Sequence, residues 1–321
     1  MQTEKILDIL YESIKDRCPK QPRTYRKKAR KDYLAIAKQR RPKQSQKRAA
    51  IKKQLQYIKR NLAQIEKLIE LGANVENLNK QQYKLLLVCH EVYRQPAWMY
   101  QHKTNRIDDR IVSLTQPHIR PIVRGKAGKA TEFGAKLSAS SCDGYVFLDR
   151  ISWDNFNESG DLIAQVEAFK EFTGHYPESV HVDQIYRTRS NRSWCKERGI
   201  RMSGPPLGKQ SAEVSKATKK QARVDEKVRQ AIEGKFGQAK RRFNLDRVMA
   251  KLDNTSQTVI AIAFLVMNIV AGLRRLLWLF LCQLLITTGL SQRLSKIIVR
   301  NHNQKKNLIQ WLANNSAIEL F

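Results

Sequence analysis

The spacing of apolar residues changes after about residue 100, and this change constrains the fold more than any other feature of the sequence. In the first hundred residues apolar side chains recur every three or four positions, which predicts amphipathic helices. We expect these helices at residues 6–15, 51–72 and 78–94, with the last one stopped by Pro96. The N-terminal part of the chain is therefore predicted to be all-helical.

Beyond residue 100 the apolar stretches become short, as is typical of strands. The predicted strands cover residues 110–115, 132–140, 145–153 and 179–183. Further helices are expected at residues 160–173, 226–242 and 258–286, with a loop at residues 203–222. This order of elements predicts a mixed α/β sheet domain that follows the helical one.

Charge is the second constraint, because 60 Lys and Arg against 29 Asp and Glu give a formal net charge of +31. Such an excess repels itself unless a polyanion offsets it, which favours a nucleic-acid partner over an anionic membrane surface. Between residues 23 and 53 the only acid is Asp32. Salt-dependent phosphate contacts are expected there from Arg26, Lys27, Lys28, Arg30, Lys31, Arg40 and Arg41.

One N-terminal helix carries apolar residues separated alternately by four and three positions. They are Ile51, Leu55, Ile58, Leu62, Ile65 and Ile69. Such spacing is compatible with a dimerising helix over residues 47–72. It is also compatible with a helix that packs against its neighbour in the same domain. Because the pattern is short, this second interpretation is favoured.

The five cysteines are scattered and never spaced as Cys-x-x-Cys, so neither a disulfide framework nor a zinc site is predicted. We expect a cytoplasmic, nucleoid-associated protein, and the N-terminus does not have the order of a secretory signal.

The apolar segment from residue 258 to 288 is interrupted by Arg274 and Arg275. Each remaining run is shorter than the roughly 20 residues that cross a bilayer, which predicts buried core helices and no membrane partner.

Two acids occupy positions suited to metal-assisted phosphodiester cleavage. Asp183 ends the apolar run of residues 179–182, while Glu233 lies on a predicted helix with Arg229 and Lys240 on the same face. Two Mg²⁺ ions can activate the attacking oxygen and stabilise the leaving oxygen, and they take hard oxygen ligands. His181, two residues before Asp183, is expected to be packed or hydrogen-bonded rather than a metal ligand.

A third carboxylate must then come from an earlier strand of the sheet. Asp109 is favoured because it opens the predicted strand 110–115. Asp108 is adjacent to it, and Asp143 lies in a Cys142-Asp143-Gly144 segment that predicts a hairpin turn. Both stay open as alternatives.

These residues resemble the DDE transposases of bacterial insertion sequences, particularly the insertion sequence five group. The C-terminal signature of that group is Tyr, two residues, Arg, three residues, Glu, six residues, Lys. Arg229, Glu233 and Lys240 match its last three terms, and Glu226 stands at the tyrosine position. The segment Asp183-Gln-Ile-Tyr is similar to the pattern around the second aspartate. The segment from residue 124 to 136 is similar to a basic loop that leads into Phe-Gly-x-Lys.

The resemblance implies a ribonuclease H-like catalytic domain over residues 106–290, with a DNA-binding domain at 1–105 and a basic tail at 291–321. Two Mg²⁺ or Mn²⁺ ions would be held by Asp109, Asp183 and Glu233. DNA contacts would come from Arg229, Lys240, Arg124 and Lys126. The reaction would be cleavage at the terminal inverted repeats of a mobile element, followed by strand transfer into target DNA, within a homodimer or a larger synaptic assembly.

Two other interpretations stay open. The first is a nuclease of the same fold that cuts DNA without joining strands. The second is a non-catalytic DNA-binding protein, such as a decayed transposase.

Overall fold

A computed structural model of the chain describes residues 2–123, 131–205, 216–287 and 317–320. The chain divides into two compact units, Met1–Gly134 and Ala135–Phe321. This boundary lies later than the predicted one after residue 105, because a short ribbon of two strands belongs to the first unit. The ribbon pairs β1 (Arg120–Val123) with β2 (Thr131–Gly134) in antiparallel fashion.

The first unit is built on four helices. They are α1 (Gln2–Glu12), α2 (Arg26–Ala37), α3 (Gln44–Glu70) and α4 (Lys80–Gln101). Its core forms where α1 packs on α3, and there Leu10 and Ile65 are almost fully buried. Ile58, Leu62, Ile65 and Ile69 of α3 therefore pack inside their own unit, as the favoured interpretation has it, whereas Ile51 is exposed. A dimerising role for this helix stays a prediction.

Two sequence-based expectations for the first unit are wrong: the end of α4 before Pro96 and the strand at residues 110–115. The side chain of Gln95 accounts for the missing strand. Helix α4 continues through Pro96 to Gln101 instead of stopping before the proline. The predicted strand 110–115 does not form. The buried side chain of Gln95 donates to the Asp109 carbonyl (3.1 Å) and accepts from the Ile111 N–H (2.9 Å). These bonds satisfy backbone groups that a neighbouring strand would otherwise pair with.

The second unit contains a five-stranded mixed sheet in the order β4-β3-β7-β5-β6. Its strands are β3 (Lys136–Cys142), β4 (Tyr145–Ser152), β5 (Ser179–His181), β6 (Arg201–Met202) and β7 (Ala317–Leu320). Asp143 and Gly144 both have positive φ, 51° and 75°, and form the predicted hairpin turn between β3 and β4. The predicted strand 132–140 is instead split at Ala135 between the two units.

Strand β7 enters the sheet from the segment predicted to be a basic tail. It runs parallel to β5 and antiparallel to β3. The sequence around it is polar and weakly patterned, and a strand of four residues gives too short a pattern to predict. The sheet of the second unit therefore includes the end of the chain.

Within the described residues of the second unit, four helices accompany this sheet. They are α5 (Leu162–Thr173), α6 (Arg189–Glu197), α7 (Lys216–Arg242) and α8 (Asp253–Thr287). Residues of α5 and α6 pack with β5 in one apolar cluster, whereas residues of α7 and α8 pack with β3 and β4 in another. The mixed α/β class is therefore confirmed. The predicted loop 203–222 is wrong from residue 216 onward, because α7 begins there.

Helix α8 is continuous across Arg274 and Arg275. One of its faces is buried against the sheet through Ile260, Phe264 and Met267. By length and composition alone, its segment Asp253–Leu284 is long and apolar enough to cross a membrane, although little of that segment is buried. The prediction of buried core helices is thus right for one face only, because the residues after Gly272 are largely exposed.

Candidate active site

Asp183 ends the apolar run as predicted and follows β5 after one intervening residue, Val182. Val180, His181 and Val182 are buried, whereas Asp183 is exposed. The Asp183 carboxylate accepts the backbone N–H of Gln184 at 2.7 Å and caps a 3-10 turn over Gln184–Tyr186. Tyr186 is fully buried at the end of this turn. The turn is thus anchored in the core and presents the carboxylate to solvent.

Arg187 follows the turn and connects Asp183 electrostatically with α7. Its guanidinium donates to the Val182 carbonyl at 2.8 Å. Burial lowers the pKa of Arg187, nearby Arg192 and Arg229 lower it further, and Asp183 and Glu226 act in the opposite direction. Arg187 therefore lies within electrostatic range both of Asp183 and of charged groups on α7.

Gly204 provides the space that the Arg187 side chain occupies. Its φ of +105° is unfavourable for residues with a side chain, and a Cβ atom there would collide with the guanidinium. No larger residue fits at this position unless Arg187 moves. The close approach of the loop after β6 therefore limits the positions that the Arg187 guanidinium can take.

Helix α7 carries the predicted stripe of Arg229, Glu233 and Lys240. The Arg229 guanidinium donates to Glu233 at 2.9 Å and to Glu226 at 2.7 Å, and its side chain is only 16% exposed. The bond with Glu226 is the main cause that raises the pKa of Arg229, and the same bond lowers the pKa of Glu226. Glu226, at the tyrosine position of the signature, thus serves as an ion-pair partner.

The Glu233 side chain is 49% exposed, so one side of its carboxylate is accessible. A Cβ atom added to the next residue, Gly234, would meet nothing within 4 Å. Lys240 is exposed further along the helix. The surface beside Glu233 is therefore open to a large substrate.

An ion-pair cluster around the buried carboxylate of Asp225 holds α7 against the sheet. Arg201 of β6 donates twice to Asp225 of α7, at 2.8 and 2.9 Å. Burial raises the pKa of Asp225, but the bonds from Arg201 and Gln221 outweigh burial and leave that pKa lowered. The Nδ1 atom of His181 lies 3.6 Å from Asp225, and its Nε2 lies 3.1 Å from the Ser179 hydroxyl. The prediction that His181 is packed and hydrogen-bonded is confirmed.

The third predicted carboxylate lies in a different unit from the other two. Asp109 sits in a turn with φ of 52°, is 82% exposed, and has its carboxylate 3.9 Å from Arg120. Asp108 is also exposed, whereas Asp143 pairs with Arg275 at 2.8 Å. Asp109 therefore does not open a strand, and its role as a metal ligand stays a prediction.

The carboxylate oxygens of Asp183 and Glu233 are of the kind that Mg²⁺ prefers. Within the part of the chain that the structure describes, no three His, Cys, Asp or Glu residues are grouped closely enough to hold a metal ion. Arg187 interacts electrostatically with Asp183 and with Arg229 and Glu226 of α7. The assignment of Asp183 and Glu233 as metal ligands stays a prediction.

Sequence reasoning missed a further carboxylate, Asp149 on β4. The register pairs Ser138 with Arg150 and Ala139 with Leu148, so Asp149 is the extra residue of a β-bulge. Its carboxylate accepts from Gln165 at 2.7 Å and from Ser140 at 3.2 Å.

Asp149 is an exposed residue when all its atoms are counted. Its carboxylate, however, is largely shielded from water by surrounding atoms. This burial raises the pKa of Asp149 to about 6, although the bonds from Gln165 and Ser140 act in the opposite direction. The sequence shows Asp149 as a lone acid among apolar strand residues, which could have drawn attention to it. It does not reveal the bulge that turns this side chain towards α5.

The basic residues of the N-terminal run fall into two groups. Lys27, Lys28, Arg30, Lys31, Arg40 and Arg41 are exposed. Arg26 instead pairs with Glu4 at 2.9 Å and Asp8 at 2.7 Å inside the first unit. Arg124 and Lys126 lie outside the described residues.

Helix α2 divides its surface between its own unit and solvent. On one side Tyr57 of α3 donates to Asp32 at 2.8 Å and Gln54 donates to the Ala29 carbonyl at 3.0 Å. On another side Lys27, Arg30, Lys31 and Lys38 line one shallow depression. The only acid of the run is thus used internally, and the exposed face stays basic.

Comparison with protein families gives one match. The family model described as Transposase DDE domain matches residues 180–270, a segment that runs from β5 through α7 into α8. Both Asp183 and Glu233 lie within it. The comparisons with curated proteins and with solved structures found no match. The family match supports a transposase, which is a nucleic-acid-cutting enzyme with a DNA substrate, and does not distinguish the insertion sequence five group.

Proposed function

We propose that this chain is a DDE transposase that cuts DNA at the ends of a mobile element and transfers the cut strand into target DNA. The observation that carries the proposal is the family match over residues 180–270, because it contains Asp183 and Glu233. His181, two residues before Asp183, lies 3.6 Å from Asp225 on α7, the helix that carries Glu233. The mixed sheet, with an antiparallel hairpin beside parallel strands, supports a ribonuclease H-like fold.

Asp183 and Glu233 would hold the divalent metal that transposases of this family typically use, Mg²⁺ or Mn²⁺. When bound, two such ions supply an activated attacking oxygen and a stabilised leaving oxygen. Arg229 orients the Glu233 carboxylate through its 2.9 Å bond. Arg187 neutralises part of the negative charge beside Asp183. Asp109 is the candidate for the third ligand.

The exposed cations supply the DNA-binding surface in this proposal. Lys240 lies on the same stripe as Glu233 and would contact a phosphate next to the reacting strand. The basic face of α2 would bind the element ends through phosphates, without itself selecting a sequence. Arg26 is left out of this set because two carboxylates already bind it. A cytoplasmic location near the nucleoid and a homodimer or synaptic assembly complete the proposal.

The test is DNA cleavage by the Asp183→Asn variant in Mg²⁺. This change keeps the size of the side chain and removes the charge that a metal ion needs, so cleavage should be lost while DNA affinity stays within about twofold. The matched control is Asp246→Asn in the exposed turn after α7, which should cleave normally. Cleavage by Asp183→Asn at the rate of the control would refute the assignment.

Two further measurements separate the alternatives. Pre-cleaved element ends are incubated with a supercoiled target, and only a transposase gives joined product, whereas a nuclease of the same fold gives none. A non-catalytic DNA-binding protein would bind DNA equally with and without Mg²⁺ and would not cut it. The Asn variants of Asp109, Asp108 and Asp143, assayed in parallel, identify the third carboxylate by loss of cleavage with DNA binding retained.

A further inference from the structure

Helix α8 exposes a row of large apolar side chains on the face that points away from the sheet. The row is Ile262, Val266, Ile269, Leu273, Leu276 and Phe280, and each of these residues is between 37% and 65% exposed. We name this row the α8 seam. Contiguous apolar surface of this kind marks an interaction site on most proteins.

The spacing of the α8 seam selects the kind of partner. Its members follow one another at intervals of four, three, four, three and four residues. This alternation keeps apolar side chains on one stripe that faces a second helix across a coiled-coil contact. The buried stripe of the same helix, which includes Ile260, Phe264 and Met267, is already occupied by the sheet. The seam therefore requires a further helix.

We infer that the α8 seam is a dimerisation surface and that its partner is the α8 seam of a second copy of this chain. A seam made only of apolar side chains is complementary to itself, as a twofold interface requires. With the flanking Leu265 and Leu277, the row offers on the order of 800 Å² per chain, which matches a standard interface. This inference does not depend on the DNA-cleaving activity.

A membrane is a poorer partner for the same surface. The stretch without charged residues after Arg275 covers residues 276 to 287, includes the polar Gln283, and corresponds to about 18 Å of helix. The hydrocarbon core of a bilayer is about 30 Å thick. Arg275 pairs with Asp143 at the start of this run, so the helix is held to the sheet there. Helix-to-helix packing covers the seam along its whole length and leaves these contacts intact.

The test is the oligomeric state of the full-length protein by sedimentation equilibrium, after nuclease treatment and at about 1 M salt. High salt removes DNA bridging and also screens the repulsion between two copies of charge +31. The wild-type protein should be a dimer under these conditions. Leu276→Glu should weaken dimerisation by about a hundredfold, because it would bury two unpaired carboxylates.

The matched control is Leu281→Glu. Leu281 is also exposed on α8, at 45% against 65% for Leu276, but it lies off the seam. This variant should dimerise as the wild type does, and both variants should keep the wild-type thermal transition at low concentration, where no dimer forms. A dimer that only Leu276→Glu disrupts supports the inference.

Three results would overturn it. A wild-type protein that is monomeric at every concentration would mean that another part of the chain covers the seam. Equal loss of dimer in both variants would mean that general apolar contact, not the seam, holds the copies together. Binding of the wild-type protein to phosphatidylcholine vesicles, reduced equally by both substitutions, would identify a membrane surface instead.

Discussion

Helices α3 and α8 carry apolar residues at the same intervals, yet the structure uses the two rows differently. In α3, Leu62 and Ile65 are buried against α1, and only the N-terminal Ile51 is as exposed as members of the other row. In α8, all six members of the row are exposed. The spacing of apolar residues thus predicts a seam, but it does not say whether the partner lies in the same chain.

The two units also differ in how they place their charged groups. The first unit leaves the cations of α2 exposed and uses Asp32 internally. The second unit buries the carboxylate of Asp225, which the exposed Arg201 pairs with, and presents Asp183 and Glu233 at its surface. The first unit therefore offers a surface for a polyanion, whereas the second offers carboxylates that can take a metal ion.

The apolar row of α3 and the α8 seam should differ most in how much they contribute to the free energy of unfolding. Leu62→Ala should lower the free energy of unfolding of the first unit by about 2 to 5 kcal/mol, because it leaves a cavity in the core. Leu276→Ala should change the free energy of unfolding by less than about 0.5 kcal/mol in dilute, monomeric protein. Denaturant unfolding below the dimerisation concentration measures both. Equal destabilisation would show that the chain itself covers the α8 seam.

The buried charges of the second unit should contribute the next largest effect. Asp225→Asn removes the charge that Arg201 and His181 face, and we expect a loss of about 2 kcal/mol in free energy of unfolding. Because the pKa of Asp225 is lowered in the folded protein, this contribution is present above the unfolded pKa and is lost as pH falls. Urea unfolding at pH 7 and at lower pH measures it.

The matched control for Asp225 is Glu226→Gln on the next position of α7. The Glu226 side chain is 47% exposed, so its pair with Arg229 should contribute less than about 1 kcal/mol. If Glu226→Gln destabilised the protein as much as Asp225→Asn, the distinction between the buried carboxylate of Asp225 and the exposed one of Glu226 would be wrong.

The basic face of α2 should be visible in the salt dependence of DNA binding. Replacing both Lys27 and Lys31 by Ala should weaken binding by roughly tenfold and reduce the slope of log affinity against log salt by about 2. The control replaces Lys80 and Lys84, which have the same spacing on α4 and are also exposed. Fluorescence anisotropy across a salt series measures both, and equal slopes in the two variants would contradict a dedicated α2 surface.

The smallest effect concerns Asp149. Its pKa is raised to about 6 in the folded chain from an ordinary 3.8, so the folded state keeps a proton that the unfolded state loses. Stability should therefore fall as pH rises from 3.8 to about 6, by about 1 kcal/mol after allowance for solvent screening. Asp149→Asn should remove this decline. Unfolding curves that keep the decline in the variant would assign it to another group.

The sequence predicts those features that depend on local patterns. The period of the apolar residues locates α3, α5 and α8, the apolar run places Asp183 beyond a buried strand, and Asp143-Gly144 predicts the hairpin turn. The positions of Arg229 and Glu233 on one helical face follow from their separation alone.

Other features depend on contacts between distant residues, and no local pattern reports them. The Gln95 side chain replaces a strand partner for Ile111, so a strand-like stretch stays irregular. A bulge turns Asp149 towards α5. Strand β7 pairs with β3 and β5 from far along the chain. The third ligand of the proposed site also depends on contacts between distant residues. The choice of Asp109 rests on the sequence alone and stays a prediction.

The most direct test of the central claim compares two glutamates that share one arginine. Glu233 and Glu226 both pair with Arg229, but only Glu233 is proposed to hold a metal ion. In a Mg²⁺-dependent cleavage assay on element-end DNA, Glu233→Gln should lose at least about a thousandfold in rate, and Glu226→Gln should stay within about threefold of the wild type. Equal rates for the two variants, whether both high or both low, would contradict the proposed site.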